Sequence, residues 1–240
     1  MYAISLTSIP PRFARIGPVL SALLAQRPAP VAVYLCLPRS YRRFPGPVTP
    51  PALPSGVELL WSGADLGPAG KALISARHLR GQVDRLIYCD DDWLYPPGWA
   101  AALLADAGDG VASTGQGFSV KRLTRQSHAK PGFTDIAQGF SGVCIDPAWL
   151  SGAEMEPPEA AWPVDDIWLS GQLARHGVAV QEVAQARASI RPAFQDRYAL
   201  QNAHIAGQNR HEANMACIEA LTQRYGLWPA ASRTARAARP

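Results

Sequence analysis

Short runs of β-branched and aromatic residues alternate along this chain with stretches of helical periodicity, and no other feature limits the fold so strongly. The strand-like runs lie at 2–7, 31–37, 57–61, 85–89, 111–114 and 140–145. Helical patterns occupy 16–26, 70–79 and 99–107, and further ones follow at 166–176, ended by Gly177, and at 211–225, ended by Gly226. Strands that alternate with helices in this way form a mostly parallel sheet with helices on both faces. The last helix lies beyond the final strand signal and makes a C-terminal helical extension.

The chain can fill one such domain. It has 240 residues, 48% of them hydrophobic and 18% charged, enough apolar material for a single core. The 22 prolines and 20 glycines fall between the apolar runs without a repeating period, which excludes collagen and low-complexity sequence. Prolines at 38, 45, 47, 50, 51 and 54 forbid regular structure and predict a long surface loop. Residues 115–138 are polar and glycine-containing, and predict a second long loop, a lid or binding loop. Cys36, Cys89, Cys144 and Cys217 are far apart with no C-x-x-C spacing, which argues against a disulfide framework or a zinc site, and Cys36, Cys89 and Cys144, inside apolar strand-like runs, are expected as buried, reduced thiols.

No apolar run reaches the roughly 18–20 residues that cross a bilayer, and the first residues lack the pattern of a signal peptide. A cytoplasmic chain is therefore expected. Of the net charge of +4, three charges belong to Arg233, Arg236 and Arg239 in a terminal stretch, so a domain over 1–228 and a flexible basic tail over 229–240 are expected. The net charge gives no support to nucleic-acid binding. Arg39, Arg42, Arg43 and the tail could seat the chain at the inner face of a membrane through anionic lipid, although a solvated surface explains them as well.

The charge distribution says more than the sum. Residues 1–57 hold six arginines and no acid, whereas Asp90, Asp91 and Asp92 form one dense acidic point. That point follows the apolar run Leu86 to Cys89 in RLIYCDDDW, and in an open parallel sheet the carboxyl ends of strands are where ligands bind. Adjacent carboxylates repel, and an oxygen-seeking divalent cation removes the cost. In extended backbone Asp90 and Asp92 point the same way and can share a ligand while Asp91 turns aside. A solvated acidic turn is the plainer alternative. In WSGADLGPAGKALISA, Gly67, Gly70 and Lys71 place backbone amides and a cation at a helix start, a natural anion site. The segment is not a P-loop, because Asp65 and Ala72 stand where that motif needs Gly and Ser or Thr.

YCDDDW resembles the D-x-D motif of GT-A-fold nucleotide-sugar glycosyltransferases, particularly the family-2-like bacterial enzymes. The resemblance extends over about 2–180 through the order of elements as well as the motif. It implies a single GT-A, Rossmann-like domain that transfers a sugar from a nucleoside diphosphate donor, a UDP-sugar by first choice, to a hydroxyl of a glycan or glycolipid. It also implies Mn2+ or Mg2+ on Asp92, with Asp90 on the metal or the donor hydroxyls and Asp91 beside them. Thr7, Ser8 and Arg12 would touch the donor, Asp65 its base or ribose, and Lys71 its diphosphate. A small-residue turn at Gly142 would let the backbone approach the sugar. Asp166, with Asp165 nearly level, would be the base of an inverting reaction, unless either merely caps its helix. His204 would be a further metal ligand.

Three rival functions share parts of this pattern. A D-x-D phosphatase carries the motif after its first strand, and a sugar nucleotidyltransferase needs an early glycine-rich loop that SLTSIPPRF lacks. A noncatalytic nucleotide- or sugar-binding module of the same fold remains the alternative of a different class.

Overall fold

A computed structural model describes residues 1–195, 197–198, 200, 205 and 207–231, and its centre is an eight-stranded sheet. The strands are β1 (Tyr2–Thr7), β2 (Val33–Pro38), β3 (Val57–Ser62), β4 (Arg85–Cys89), β5 (Val111–Thr114), β6 (Phe133–Thr134), β7 (Val143–Ile145) and β8 (Ala179–Glu182). Their order across the sheet is β3-β2-β1-β4-β7-β5-β8-β6. β7 runs antiparallel to both of its neighbours and β6 antiparallel to β8, while every other pairing is parallel. The expected mostly parallel α/β architecture is therefore present, with one reversed strand in its middle.

The period-2 alternation of the strands divides the core between two faces. Ile4, Leu6, Leu35, Ile87 and Cys89 face one apolar cluster, which α1 (Gly17–Leu24) and α3 (Trp99–Asp106) close with Leu20, Leu23, Trp99 and Leu103. Their sequence neighbours Ala3, Tyr34, Cys36, Leu86 and Tyr88 face the other, covered by α2 (Gly70–Leu79) and α4 (Asp165–Arg175) through Leu73, Ala76, Leu169 and Leu173. A third cluster joins α4 to α6 (Arg210–Tyr225), where Trp168 meets the group containing Ala213, Cys217 and Leu221. All four cysteines are buried and free, as the apolar runs predicted for Cys36, Cys89 and Cys144.

Several expected boundaries shift. The sixth strand signal, 140–145, is a strand only from Val143, because Gly139–Ser141 form a 3-10 turn. β8 and the short α5 (Ala184–Ala188) fall where no element was expected. The 115–138 stretch is more than a loop: Gly117–Phe118 pair with Ile136–Ala137, and the Asp135 carboxylate accepts a 3.0 Å hydrogen bond from the Val120 amide. Pro229 to Ala231, expected in a loose tail, are bound to the chain: the Gln126 amide donates to Pro229 O at 2.9 Å and the Ala231 amide to Thr124 O at 3.0 Å. The rest of the basic tail, 232–240, lies outside the described residues.

Gly142, expected as a close-approach position, packs against Trp99. It has a φ of +87°, and a Cβ there would lie 2.1 Å from Cζ2 of Trp99. It is buried and not part of the cleft lining, so its bare backbone admits the Trp99 ring, whose Nε1 donates to Ser141 O at 2.8 Å. Gly142→Ala combines left-handed strain with overpacking and is expected to cost about 3 kcal/mol or more in urea unfolding. A loss below about 1 kcal/mol would contradict this account of the Trp99 contact.

Candidate functional site

β4 ends at Cys89, and the next three residues carry their carboxylates into an open cleft of about 820 Å³ at the carboxyl edge of the sheet. β1 ends beside it, bringing Thr7 and Ser8 to the same rim, while the starts of α2 and α4 bring Lys71, Asp165 and Asp166. Residues more than 150 apart in sequence thus meet at one place because parallel strands all finish on one edge.

Lys71 lies at the centre, its side chain only 3% exposed. Its ammonium pairs with Asp90 and, at 2.7 Å, with Asp165, the latter close enough for an ion pair but not aligned as a hydrogen bond. Burial alone would lower the lysine pKa; Asp165, Asp90 and Asp166 outweigh it and hold the pKa well above the ordinary value. Gly139 makes room for this group, since a Cβ there would collide with Lys71 Nζ and meet Asp90 Oδ1 at 3.1 Å. The same Gly139 donates its amide to Asp166 Oδ1 at 2.9 Å. Burial pushes Asp166 up to about 7, with the Asp165 charge adding to it and Lys71 opposing.

The other two members of the acidic triplet belong to Arg12. Asp91 is buried, accepts from Ser8 Oγ at 2.5 Å and pairs with Arg12, so the partner it shares is that of Asp92, while Asp90 pairs with Lys71. Burial raises its pKa, against the pull of Arg12 and Ser8. Asp92 reaches the cleft with its side chain 25% exposed and lies 3.2 Å from Arg12 Nη2. Burial and then the charges of Asp90 and Asp91 push it up to about 7.

These contacts revise several expected roles. The charge of Lys71, expected to meet a diphosphate, is taken up by the carboxylates of Asp90 and Asp165. The Asp65 carboxylate is held by two backbone amides, of Arg42 at 2.8 Å and Gly67 at 2.9 Å, the geometry of an Asx turn, not of a base-reading group. Thr7 spends its hydroxyl proton on Cys36 O at 2.7 Å, although its oxygen still lines the cleft. Arg12 is an internal partner of the acidic triplet. Neither Asp165 nor Asp166 caps α4, whose N-cap position is Val164 and has no side-chain hydrogen bond. His204 lies outside the described residues.

Gly139, Gln116 and Arg187 were not singled out from the sequence, and Tyr95 was read only as an aromatic that could stack on a sugar or pack in the core. Tyr95 donates to Asp90 O at 3.0 Å and to Phe140 O at 3.2 Å, fixing the acidic turn against the 3-10 turn that carries Gly139. The two-residue spacing from Trp93 to Tyr95 was the available signal, obscured because aromatic residues near a strand end usually only pack.

Among the described residues no three His, Cys, Asp or Glu side chains gather into a metal-binding cluster. The donor set nevertheless fits a hard cation of the Mg2+ type, which is commonly held by one or two carboxylates while substrate phosphates and water complete its shell. Asp90 and Asp92 would be those carboxylates: each is paired with a cation through one oxygen, and both line the cleft beside a negative charge that Arg12 and Lys71 only partly offset.

No protein-family model matches the sequence, and no curated protein matches it either. Solved structures do match. GalNAc-T7, in a crystal structure with UDP, GalNAc and Mn2+, superposes with a TM-score of 0.51 at 11% identity, over 77% of this chain and 42% of that one. The 1–349 portion of S. aureus TarS matches over 76% of this chain and 58% of its own, with 12% identity and a TM-score of 0.45. A second S. aureus TarS structure matches over 75% and 35%, with 10% identity and a TM-score of 0.42. The chain spans less than two thirds of each. The likeness to GalNAc-T7 shows the GT-A fold.

The raised pKa of Asp166 has a definite sign in stability. A carboxyl whose folded pKa is about 7 and whose ordinary value is 3.8 contributes stability below pH 4 that is lost as the pH rises through 7. Asp166→Asn keeps the oxygen that accepts from Gly139 and removes this loss. The variant is therefore expected to gain stability relative to the unaltered chain as the pH is raised from about 4 to 7, measured by urea unfolding across that range. A pH-independent difference would refute the assignment.

Proposed function

We propose that this chain is a glycosyltransferase that moves a sugar from a nucleoside diphosphate donor to an acceptor hydroxyl. One observation carries the reading: in a GT-A fold, the carboxylates at the end of β4 and the carboxylate of Asp166 at the start of α4 line one cleft, joined through the buried Lys71. The donor would lie with its nucleotide over β1 to β3, against Thr7, Ser8 and Tyr41, and its diphosphate at Asp90 and Asp92. UDP is the first choice of nucleotide, since the fold relative GalNAc-T7 was crystallised with it. The acceptor is a glycan or glycolipid.

Asp166 suits the part of general base. Its carboxyl is poised at about 7, near the pH at which a base is both deprotonated and able to take a proton. Asp165 is committed to Lys71, which leaves Asp166 to take the proton of the acceptor hydroxyl. As that oxygen bonds to the anomeric carbon, the bond from carbon to the diphosphate oxygen breaks, with inversion. Lys71 acts as a positioning residue, holding Asp90 and Asp165 in register. Mn2+ or Mg2+ on Asp92 and Asp90 would supply the charge that stabilises the leaving diphosphate. Among the described residues no helix is long and apolar enough to cross a membrane; contact with anionic lipid through Arg39, Arg42 and Arg43 remains part of the proposal.

Calorimetric titration with UDP, GDP, CDP and dTDP, each with Mn2+ and again with chelator, tests the donor half. One nucleotide is expected to bind in the presence of metal and to lose at least about ten-fold in affinity with chelator or in Asp92→Asn. Asp166→Asn should bind that nucleotide unchanged while transfer of its sugar falls at least about 100-fold. Binding of no nucleotide would sink the reading, and unimpaired transfer by Asp166→Asn would sink the base assignment.

A further inference from the structure

The cleft is divided by charge. Asp90, Asp91, Asp92, Asp165 and Asp166 gather at its centre, and Arg12 and Lys71 are their partners. Arg122, Arg187 and Arg210 line the same cleft, and among the described residues none of the three pairs with a carboxylate. Uncompensated cations in a concave site attract anions.

Arg187 is the best built of them. It comes from α5, half-buried, and its Nε donates to Gln116 Oε1 at 2.8 Å. Its guanidinium carbon lies 5.4 Å from the centre of the Trp93 ring and 5.3 Å from that of Phe140, two rings packed 4.8 Å apart. Gln116 is itself fixed, its carbonyl accepting from the Gln138 amide and Thr114 Oγ1, each at 3.0 Å. The segment after α5 is tied to the acidic triplet: Arg191–Pro192 pair with Trp93–Leu94, and the Ala193 amide donates to Asp92 O at 2.8 Å. An arginine anchored at Nε and on two rings keeps its orientation, and its two Nη groups donate to no protein acceptor among the described residues. That fork matches the two oxygens of a carboxylate or phosphate.

We propose that Arg187, on its Trp93, Phe140 and Gln116 support, is a specificity-determining residue that binds an anionic group on the acceptor sugar, a uronate carboxylate or a sugar phosphate. The inference rests on the proposed transferase reading for the word acceptor alone. In that reading the nucleotide lies over β1 to β3, whereas Arg187 follows β8, which β4, β7 and β5 separate from β1 in the sheet. Arg122, whose guanidinium lies over the Phe118 ring, and Arg210, held by Pro163 O at 2.5 Å, add positive charge to the same cleft.

The test compares binding of p-nitrophenyl glucuronide, p-nitrophenyl glucoside and a hexose monophosphate at millimolar concentration, followed by NMR on the 15N-labelled chain, including the Arg187 Nε–H signal. At least one anionic sugar is expected to bind about ten-fold tighter than the glucoside and to shift that signal. Which of the two does so identifies the anion. Arg187→Met keeps an unbranched side chain over the rings and should abolish the preference, while Arg187→Lys should retain part of it. Equal binding of charged and neutral sugars, no binding of either anion, or a preference that survives in Arg187→Met would each overturn the proposal. A matching fall of nucleoside diphosphate affinity in Arg187→Met would also overturn it, by giving the arginine to the donor. If the preference is found but no nucleotide binds, this site stands and the transferase reading fails.

Discussion

The ammonium of Lys71 is the interaction on which the cleft depends. Three carboxylates from two distant parts of the chain, Asp90 after β4 and Asp165 and Asp166 at the start of α4, surround the buried ammonium at the floor of the cleft. Without that cation the acids could not converge at neutral pH, because a buried, unpaired carboxylate is far costlier than a paired one. Without the acids the lysine would be the unpaired charge. Each partner makes the other tolerable, and the pair fixes the distance between the end of the sheet and α4. A single missing side chain permits it: Gly139 occupies the point where any Cβ would meet Nζ.

The same logic extends outward in layers. Tyr95 ties the backbone of Asp90 to the 3-10 turn at Phe140, and that turn presents the Gly139 amide to Asp166. Beneath the turn, Gly142 admits Trp99, whose indole hydrogen bond to Ser141 holds the turn from below. The reversed strand β7 begins where this turn ends, so its antiparallel direction is what brings a turn, instead of a strand start on the far edge, to the rim of the cleft. An all-parallel sheet of the same strands would leave the acidic cluster without this roof.

Much of this was legible in the sequence and some was not, for different physical reasons. The alternation of strand and helix patterns predicted the α/β sheet because apolar periodicity is a local property of about ten residues. The acidic triplet was recognisable as a site because three adjacent carboxylates after an apolar strand have a cost that something must offset. What pairs with what was not legible. Lys71 reads equally well as a phosphate-binding group at a helix start and as a counterion, and only the fold shows that Asp90 and Asp165 reach it first. Gly142 and Gly139 lie three residues apart in a stretch where either could be the close-approach glycine; the choice depends on Trp99 and Lys71, both far away in sequence. β8 was not expected although Val178, Val180 and Val183 are buried apolar positions, because four residues are too short a run for their alternation to stand out.

The separation of charge within the cleft follows from the sheet order. The acids come from the ends of β4 and the start of α4, near the middle of the sheet, while Arg122 and Arg187 follow β5 and β8 on its far half. A cation near Asp90 or Asp92 would screen the acids from the arginines and leave the positive far half facing the open cleft. Among the described residues Arg187 makes no ion pair with the acids: its Nε donates to Gln116 and its guanidinium lies over two rings. An unanchored arginine at that position would be drawn toward the triplet, as Arg12 is. The support around Arg187 therefore keeps its Nη groups clear of protein acceptors among the described residues, where they can donate to a bound anionic ligand.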